Sequence, residues 1–270
     1  MHSNTRPRIV LFDSNLSGHH TDYLCHLIEY WATHSLQGVL YVVAPEAFAP
    51  HVAGGRSASV SFVPISADDI RHIEQLPLYR RSLVEWSTLL KYAQPLRPTH
   101  AFLPFFDVFQ MGLWLGKKAP FDVSGIYFRP NFHYTDTIEI GSSAWLKKQM
   151  LKRALNNKRL KTLFCLDQSA VPMIRTFTRR VQIVPLCDPV KTIELSDASR
   201  LDIQRQTAIE PGRTVFLLFG HLDDRKGIEP TLEALAGLSP SEAGQLALIL
   251  AGPIEAHYRK SIEVAVNTLS

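Results

Sequence analysis

Eight consecutive residues, Gly220-His221-Leu222-Asp223-Asp224-Arg225-Lys226-Gly227, place a histidine and two adjacent cations in a short polar loop bounded by glycines. The apolar run Val215-Phe216-Leu217-Leu218-Phe219 precedes it, and Ile228-Glu229-Pro230-Thr231-Leu232-Glu233-Ala234-Leu235 follows with apolar residues at helical spacing. The pattern predicts a strand, a loop and a helix. At such a crossing the free backbone N–H groups of the helix start, the positive end of its dipole and a loop cation all favour phosphate. On spacing alone, a solvated turn with two surface cations fits as well.

Three further clusters carry groups that can do chemistry. Arg8-Ile9-Val10-Leu11-Phe12-Asp13 reads as a buried strand closed by a carboxylate, and Ser17-Gly18-His19-His20-Thr21 follows it. Next comes a helix with Tyr23, Leu24, Leu27, Ile28 and Trp31 on one face. Gly18 thus sits between a strand's carboxyl end and a helix's amino end, where open α/β sheets place ligands. His19 and His20 can bind a hydroxyl, titrate near neutrality or cap the helix, and Ser17 or Thr21 can also be the cap. Asp107, after the strand His100-Ala101-Phe102-Leu103, is placed to cap the helix that follows. The strand Val123–Phe128 opens onto Arg129-Pro130-Asn131-Phe132-His133-Tyr134, where every residue but the proline can hydrogen-bond or stack on a sugar.

The elements that must hold these groups alternate between strand and helix. Further strands are expected at Val39–Ala44, Val60–Ile65, Thr162–Leu166, Val181–Pro185 and Leu246–Ala251, with a loop at Ala53–Ser57. A mostly helical segment from Ala67 to Leu96 is ended by Pro95 and Pro98, and its charges read as a solvated surface. A helix is expected from Gln168 to about Phe177 and another through Tyr258, Ile262, Val266 and Leu269. The alternation predicts an α/β chain: a complete doubly wound domain over residues 1–189, a linker over 190–212 with a short helix at Leu201–Gln206, and the start of a second domain over 213–270.

A basic cluster over residues 145–161, from Lys147 and Lys148 to Arg159 and Lys161, is interleaved with Trp145, Leu146, Met150, Leu151 and Leu155. Plotted as a helix it is amphipathic. It can lie on an anionic membrane surface, or pack its apolar stripe on its own sheet and leave the cations in water.

Composition bounds the rest. A chain of 270 residues with 46% hydrophobic residues can bury a sizeable core, and a formal charge of +4 spread along it does not point to nucleic acid. Cys25, Cys165 and Cys187 lack the spacing of a zinc site or a disulfide framework, which suits a cytoplasmic protein. No metal site is expected, and Asp223-Asp224 reads as loop solvation. No apolar run reaches the roughly 18 residues of a membrane span.

The stretch Phe219-Gly220-His221-Leu222, continuing to Lys226-Gly227 and a helix containing Glu233-Ala234, resembles the donor loop of GT-B nucleotide-sugar glycosyltransferases of the group 1 (GT4-like) type. Ala251-Gly252-Pro253 after the last strand is similar to that family as well. The resemblance implies that Lys226 holds the donor diphosphate, with Arg225 and His221 beside it and Gly18 facing the phosphates. His221 stands where the family usually has arginine. It further implies a retaining transfer without cofactor or metal, from a nucleotide-sugar donor to a glycan, lipid-linked or small-molecule acceptor. By position at the carboxyl ends of parallel strands, Arg129 and Asn131, with His19, His20 and Asp107, are placed to bind that acceptor. Both loops would then share one cleft, and no general base is assigned. Family members continue through more βα units than this chain, which implies a C-terminally truncated enzyme, not competent for transfer as this chain alone, or, as the alternative, a non-catalytic glycan- or nucleotide-binding derivative.

Overall fold

Val10, Leu11 and Phe12 follow one another and all three are buried, which a strand achieves only when layers cover both its faces. The computed structural model has that arrangement. It describes residues 6–34, 36–53, 58–128, 130, 132, 142–189, 206–207, 209–210, 212–223, 226–254, 259–260, 262–263 and 266. The chain divides into two compact units, Met1–Val190 and Lys191–Ser270.

The first unit holds seven strands: β1 (Arg8–Phe12), β2 (Val39–Pro45), β3 (Val60–Ile65), β4 (His100–Leu103), β5 (Asp122–Tyr127), β6 (Leu160–Cys165) and β7 (Gln182–Pro185). All are parallel, in the order β3-β2-β1-β4-β5-β6-β7. The chain begins in the middle, adds β2 and β3 on one side, then returns past β1 to build the other. Strand order therefore reverses between β1 and β4, and the crevice at the carboxyl ends of such a pair is the usual ligand position in open α/β sheets.

Helices α1 (His20–Thr33), α2 (Ala49–Ala53), α3 (Ala67–Glu74), α4 (Leu78–Leu96), α5 (Gln110–Leu115), α6 (Ser142–Ala154) and α7 (Val171–Arg175) occupy the crossovers. Alternate strand residues feed two cores. Val10 and Phe12 face Trp86 and Leu89 of α4, with Phe106, Leu113, Leu151 and Ile174 in the same cluster. Leu11 joins Leu24, Ile28 and Trp31 of α1 on the other side. Each such side chain contributes roughly 2 kcal/mol by leaving water.

One helical expectation is met by two helices in place of one, and two others are corrected. The segment from Ala67 to Leu96 is two helices: α3 is capped by Ser66, whose hydroxyl accepts from the Asp69 N–H at 3.2 Å, and Pro77 stands before α4. A proline disfavours the helical region for its predecessor, and Leu76 lies in the break between the two helices. The basic helix ends at Ala154, leaving Lys158 and Arg159 in a turn and Lys161 in β6. Asn157 drives that turn, its amide donating to the Leu113 carbonyl at 2.6 Å and its side-chain oxygen accepting from the Arg159 N–H at 2.9 Å. The helix expected over Gln168–Phe177 is a 3-10 turn, Gln168–Ala170, leading into the short α7. Of the loop expected at Ala53–Ser57, Ala53 instead ends α2 and the rest lies outside the described residues, as do residues 201–205 of the helix expected at Leu201–Gln206.

In the second unit β8 (Thr214–Phe219) and β9 (Leu246–Ala251) pair in parallel, Val215 opposite Ala247. Helices α8 (Ile228–Ala236) and α9 (Pro240–Ala243) lie between them in sequence. Ile228, Leu232 and Ile262 pack with Leu218, Leu248 and Leu250 into one small cluster. Val215, Phe216, Leu217 and Phe219 remain exposed, Phe219 at 67%.

Candidate functional site

β1 runs straight into the first unit's charged pocket. The Asp13 N–H still donates to the Val43 carbonyl at 3.1 Å, which holds Asp13 in line with the sheet and leaves it 5% exposed. Its Oδ1 accepts from the Asn15 N–H at 3.0 Å, and Asn15 Oδ1 from the Ser17 N–H at 2.9 Å, so two consecutive side chains shape the turn toward α1. Asp13 Oδ2 lies 2.7 Å from His20 Nδ1. The His20 ring stacks on Phe105 with centroids 3.4 Å apart, and Phe105 stacks on Phe128 at 4.3 Å.

A second carboxylate enters from α4. Glu85 is 1% exposed; its Oε2 accepts from Ser14 Oγ at 2.5 Å and its Oε1 from Arg81 Nε at 3.2 Å. Burial raises both carboxyls above their ordinary range, because a charge in a low-dielectric interior is costly. His20 and Arg81 pull Asp13 partly back, and Ser14 and Arg81 do the same for Glu85, whose neighbour Asp13 pushes it up further. These groups line a cavity of about 420 Å³ with Gly18, His19, Phe105, Asp107 and Phe128.

Asp107 closes the far wall. It lies in the 3-10 turn Phe106–Phe109, and its Oδ2 accepts from the Phe128 N–H at 2.9 Å. It does not cap α5, which begins without a side-chain cap. The expected helix cap is therefore a clamp joining the exits of β4 and β5. Neither Ser17 nor Thr21 caps α1 through its side chain; the Thr21 hydroxyl donates to the Leu16 carbonyl instead. Tyr23 of α1, between Phe105 and Phe128, donates its hydroxyl to Asp188 near the end of the unit, and burial holds its phenol far above the ordinary range. Cys165, at the end of β6, is no nucleophile near neutrality, since burial pushes its thiol up to about 11.

In the second unit the β8–α8 loop turns where the Lys226 N–H donates to the Asp223 carbonyl at 2.9 Å. Gly227 then takes φ +65°, a left-handed conformation that favours glycine, and α8 begins. Lys226 Nζ stands 5.7 Å from the centre of the Phe219 ring, and both Lys226 and His221 are exposed. The first N–H groups of α8 have no partner within the helix by its geometry. Among the described residues no group of three or more His, Cys, Asp or Glu side chains is placed to hold a metal ion.

By sequence, no family model and no curated protein matches the chain. By structure it superposes on sucrose-phosphate synthase from Thermosynechococcus elongatus with a TM-score of 0.67 and 15% identity, covering 98% of this chain and 68% of that one. WaaG, a glycosyltransferase involved in lipopolysaccharide biosynthesis, gives 0.61 and 15% over 97% of this chain and 68% of its own. A glycosyltransferase from Rickettsia africae gives 0.61 and 10% over 98% and 66%. The chain has the GT-B fold. It comprises one complete Rossmann-like domain followed by the start of a second, and spans about two thirds of the length of these GT-B proteins.

Within the GT-B frame, Gly18, His19, His20 and Asp107 come together on one cavity of the first unit. His20 points inward to Asp13, while the His19 side chain is 85% exposed and 3.8 Å from Asp22. Lys226 and His221 share the β8–α8 loop of the second unit. Arg129, Asn131 and Arg225 lie outside the described residues. Sequence reasoning missed Ser14, Arg81 and Glu85, and took Asp13 only as the end of a strand. The reading of the α4 charges as a solvated surface is corrected at Arg81 and Glu85. A signal was present: Ser82, Glu85, Trp86, Leu89 and Ala93 recur at helical spacing, and all five are buried.

Proposed function

We propose that the chain is a glycosyltransferase that moves a sugar from a nucleotide-sugar donor to a glycan, lipid-linked or small-molecule acceptor, with retention at the anomeric carbon and without a cofactor. The GT-B fold supports the class. The observation that carries the donor assignment is the exposed Lys226 ammonium immediately before Gly227 and the amino end of α8. Breaking the sugar–phosphate bond leaves growing negative charge on the departing diphosphate, and a fixed cation with free N–H groups stabilises that charge more than the ground state. Arg225 and His221 belong to the same loop, and Gly18 offers open backbone toward phosphate in the first unit.

The acceptor is assigned to the first unit's cavity. His20, Phe105 and Phe128 line it as a stack in which Phe105 is covered on both faces, so the outer rings, His20 and Phe128, are the ones left for the C–H face of a sugar; His19, His20 and Asp107 supply polar edges for hydroxyls, with Arg129 and Asn131 on the neighbouring loop. Three cysteines, none of them in a disulfide, suit use in the reducing cytosol.

The test incubates the protein with nucleotide-sugars differing in base and sugar, follows nucleoside diphosphate release, and reads the anomer of the product by NMR. Release from one donor class with the donor's anomeric configuration in the product is expected; no binding of any nucleotide-sugar or nucleoside diphosphate would reject the reading. A non-catalytic binder is favoured by His221, at the position where the resembling family has arginine, and by Arg129, where that family often has a histidine. Tight nucleoside diphosphate binding with no transfer or hydrolysis would select it.

A further inference from the structure

Large apolar side chains project into water from two neighbouring helices of the first unit: Trp114 (42% exposed) and Leu115 at the end of α5, Trp145 (61% exposed) and Leu146 near the start of α6. On a helix turning about 100° per residue, Trp145, Leu146, Gln149 and Arg153 share one face. Trp114 meets that face through Arg153, whose guanidinium carbon lies 5.6 Å from its ring centre. The result is one stripe, about 12 Å long on α6 at 1.5 Å per residue.

The Arg153 end of the stripe opens into a cavity of about 600 Å³ between the ends of α5 and α6. Lys118, Arg153, Lys158 and Arg159 line it, and no described carboxylate does. Asp122 pairs with Arg159 at 3.3 Å and with Lys161 at 3.6 Å. Lys118, Arg153 and Lys158 have no carboxylate within 4.0 Å among the described residues. None of these residues lines the Asp13–Glu85 cavity.

We propose that this stripe docks the protein on an anionic lipid surface, with Trp114, Trp145 and the two leucines in the headgroup layer and the cavity's cations on lipid phosphates. Charge and shape together select that occupant. A second copy meeting this face across a two-fold axis would bring like charges together. Nucleic acid answers the cations but offers no apolar layer for the leucines. An anionic bilayer supplies both, since tryptophan sits at headgroup level, leucine just below it, and lysine and arginine gain from the surface potential.

The test is sedimentation of the full chain with phosphatidylcholine vesicles, with and without phosphatidylglycerol, at low and high salt. Binding is expected only with phosphatidylglycerol, with release by salt and a blue shift of tryptophan emission. Lys118→Gln with Arg153→Gln should lower partitioning about 25-fold, at roughly fivefold per cation. Trp145→Ser with Leu146→Ser should lower it with circular dichroism unchanged, since both side chains are exposed. Arg71→Gln with Arg80→Gln, a charge-matched change on α3 and α4, should leave it intact. Failure to bind anionic vesicles, or binding indifferent to both stripe variants, would overturn the proposal. So would a stripe that instead mediates self-association or retains DNA, with variants that abolish those and not vesicle binding.

Discussion

The loop after β1 and the loop after β8 hold equivalent stations, each between the carboxyl end of a parallel strand and the amino end of a helix, yet they treat charge in opposite ways. Around the first, Asp13 and Glu85 are buried and answered from within by His20, Arg81 and Ser14. At the second, Lys226 and His221 face solvent. A buried network that satisfies itself is rigid before any ligand arrives, and its loss is felt by the whole fold. An exposed cation gains most of its worth when a ligand's charge comes to it.

Stability separates the two most sharply. Glu85→Ala removes the acceptor of both Ser14 and Arg81 and should cost about 3 kcal/mol in denaturant unfolding, whereas Glu233→Ala on α8 should stay within about 0.5 kcal/mol. A small effect at Glu85 would erase the contrast. Lys226→Ala should reverse the ranking: little change in unfolding, but, in a complete version of the protein, roughly 2 kcal/mol or more lost from kcat/KM for the nucleotide-sugar. Lys147→Ala, on α6, serves as its reference. Equal small effects of the two lysine changes on kcat/KM would remove Lys226 from the donor site.

Acid titration sharpens the comparison further. Burial raises Asp13 and Glu85 above their ordinary 3.8 and 4.5, so the folded state holds their protons more tightly than the unfolded chain. Their contribution to stability is fully present below those ordinary values and is lost as pH rises through the raised folded values. Unfolding curves from mildly acid to neutral pH should therefore decline less steeply in Glu85→Gln than in the unchanged protein. Parallel curves would show that Glu85 ionises alike in both states.

The smallest contrast is a matched pair. Gly18 (φ +60°) and Gly227 (φ +65°) both have open space where a Cβ would be placed. Alanine should cost about 1 kcal/mol at either from backbone strain alone. Native-state hydrogen exchange should show the Gly18 loss spread over the seven-stranded sheet and the Gly227 loss confined to α8, and a uniform loss in both would mean the two units open together.

The strands were legible because runs such as Val10-Leu11-Phe12 and Leu248-Ile249-Leu250 have few alternatives in an α/β chain. The loop stations followed from them, since position after a parallel strand and before a helix is a matter of order. Partners were harder to read. Asp107 as a helix cap and Asp107 as a clamp on Phe128 make the same demand on residue type, a short carboxylate after a strand, and only the placement of β5 beside β4 separates them. Arg81 and Glu85 sit in a helix with many charges, where exposure depends on how α4 is rotated. His20 could have been told from His19 by the phase of α1, because it lies three and four residues before the inward Tyr23 and Leu24.

The exposed strand β8 has a consequence for how the protein behaves in bulk. Thr214–Phe219 carries no charge and no proline, and among the described residues it pairs only with β9, with Val215, Phe216, Leu217 and Phe219 exposed beside it. Short, uncharged, β-favouring segments at an open edge are templates for strand addition by identical chains. Where the other edge of β8 is left bare, the strand that aims the Lys226 loop can also template aggregation, and protein concentration then sets how often it meets its own copy.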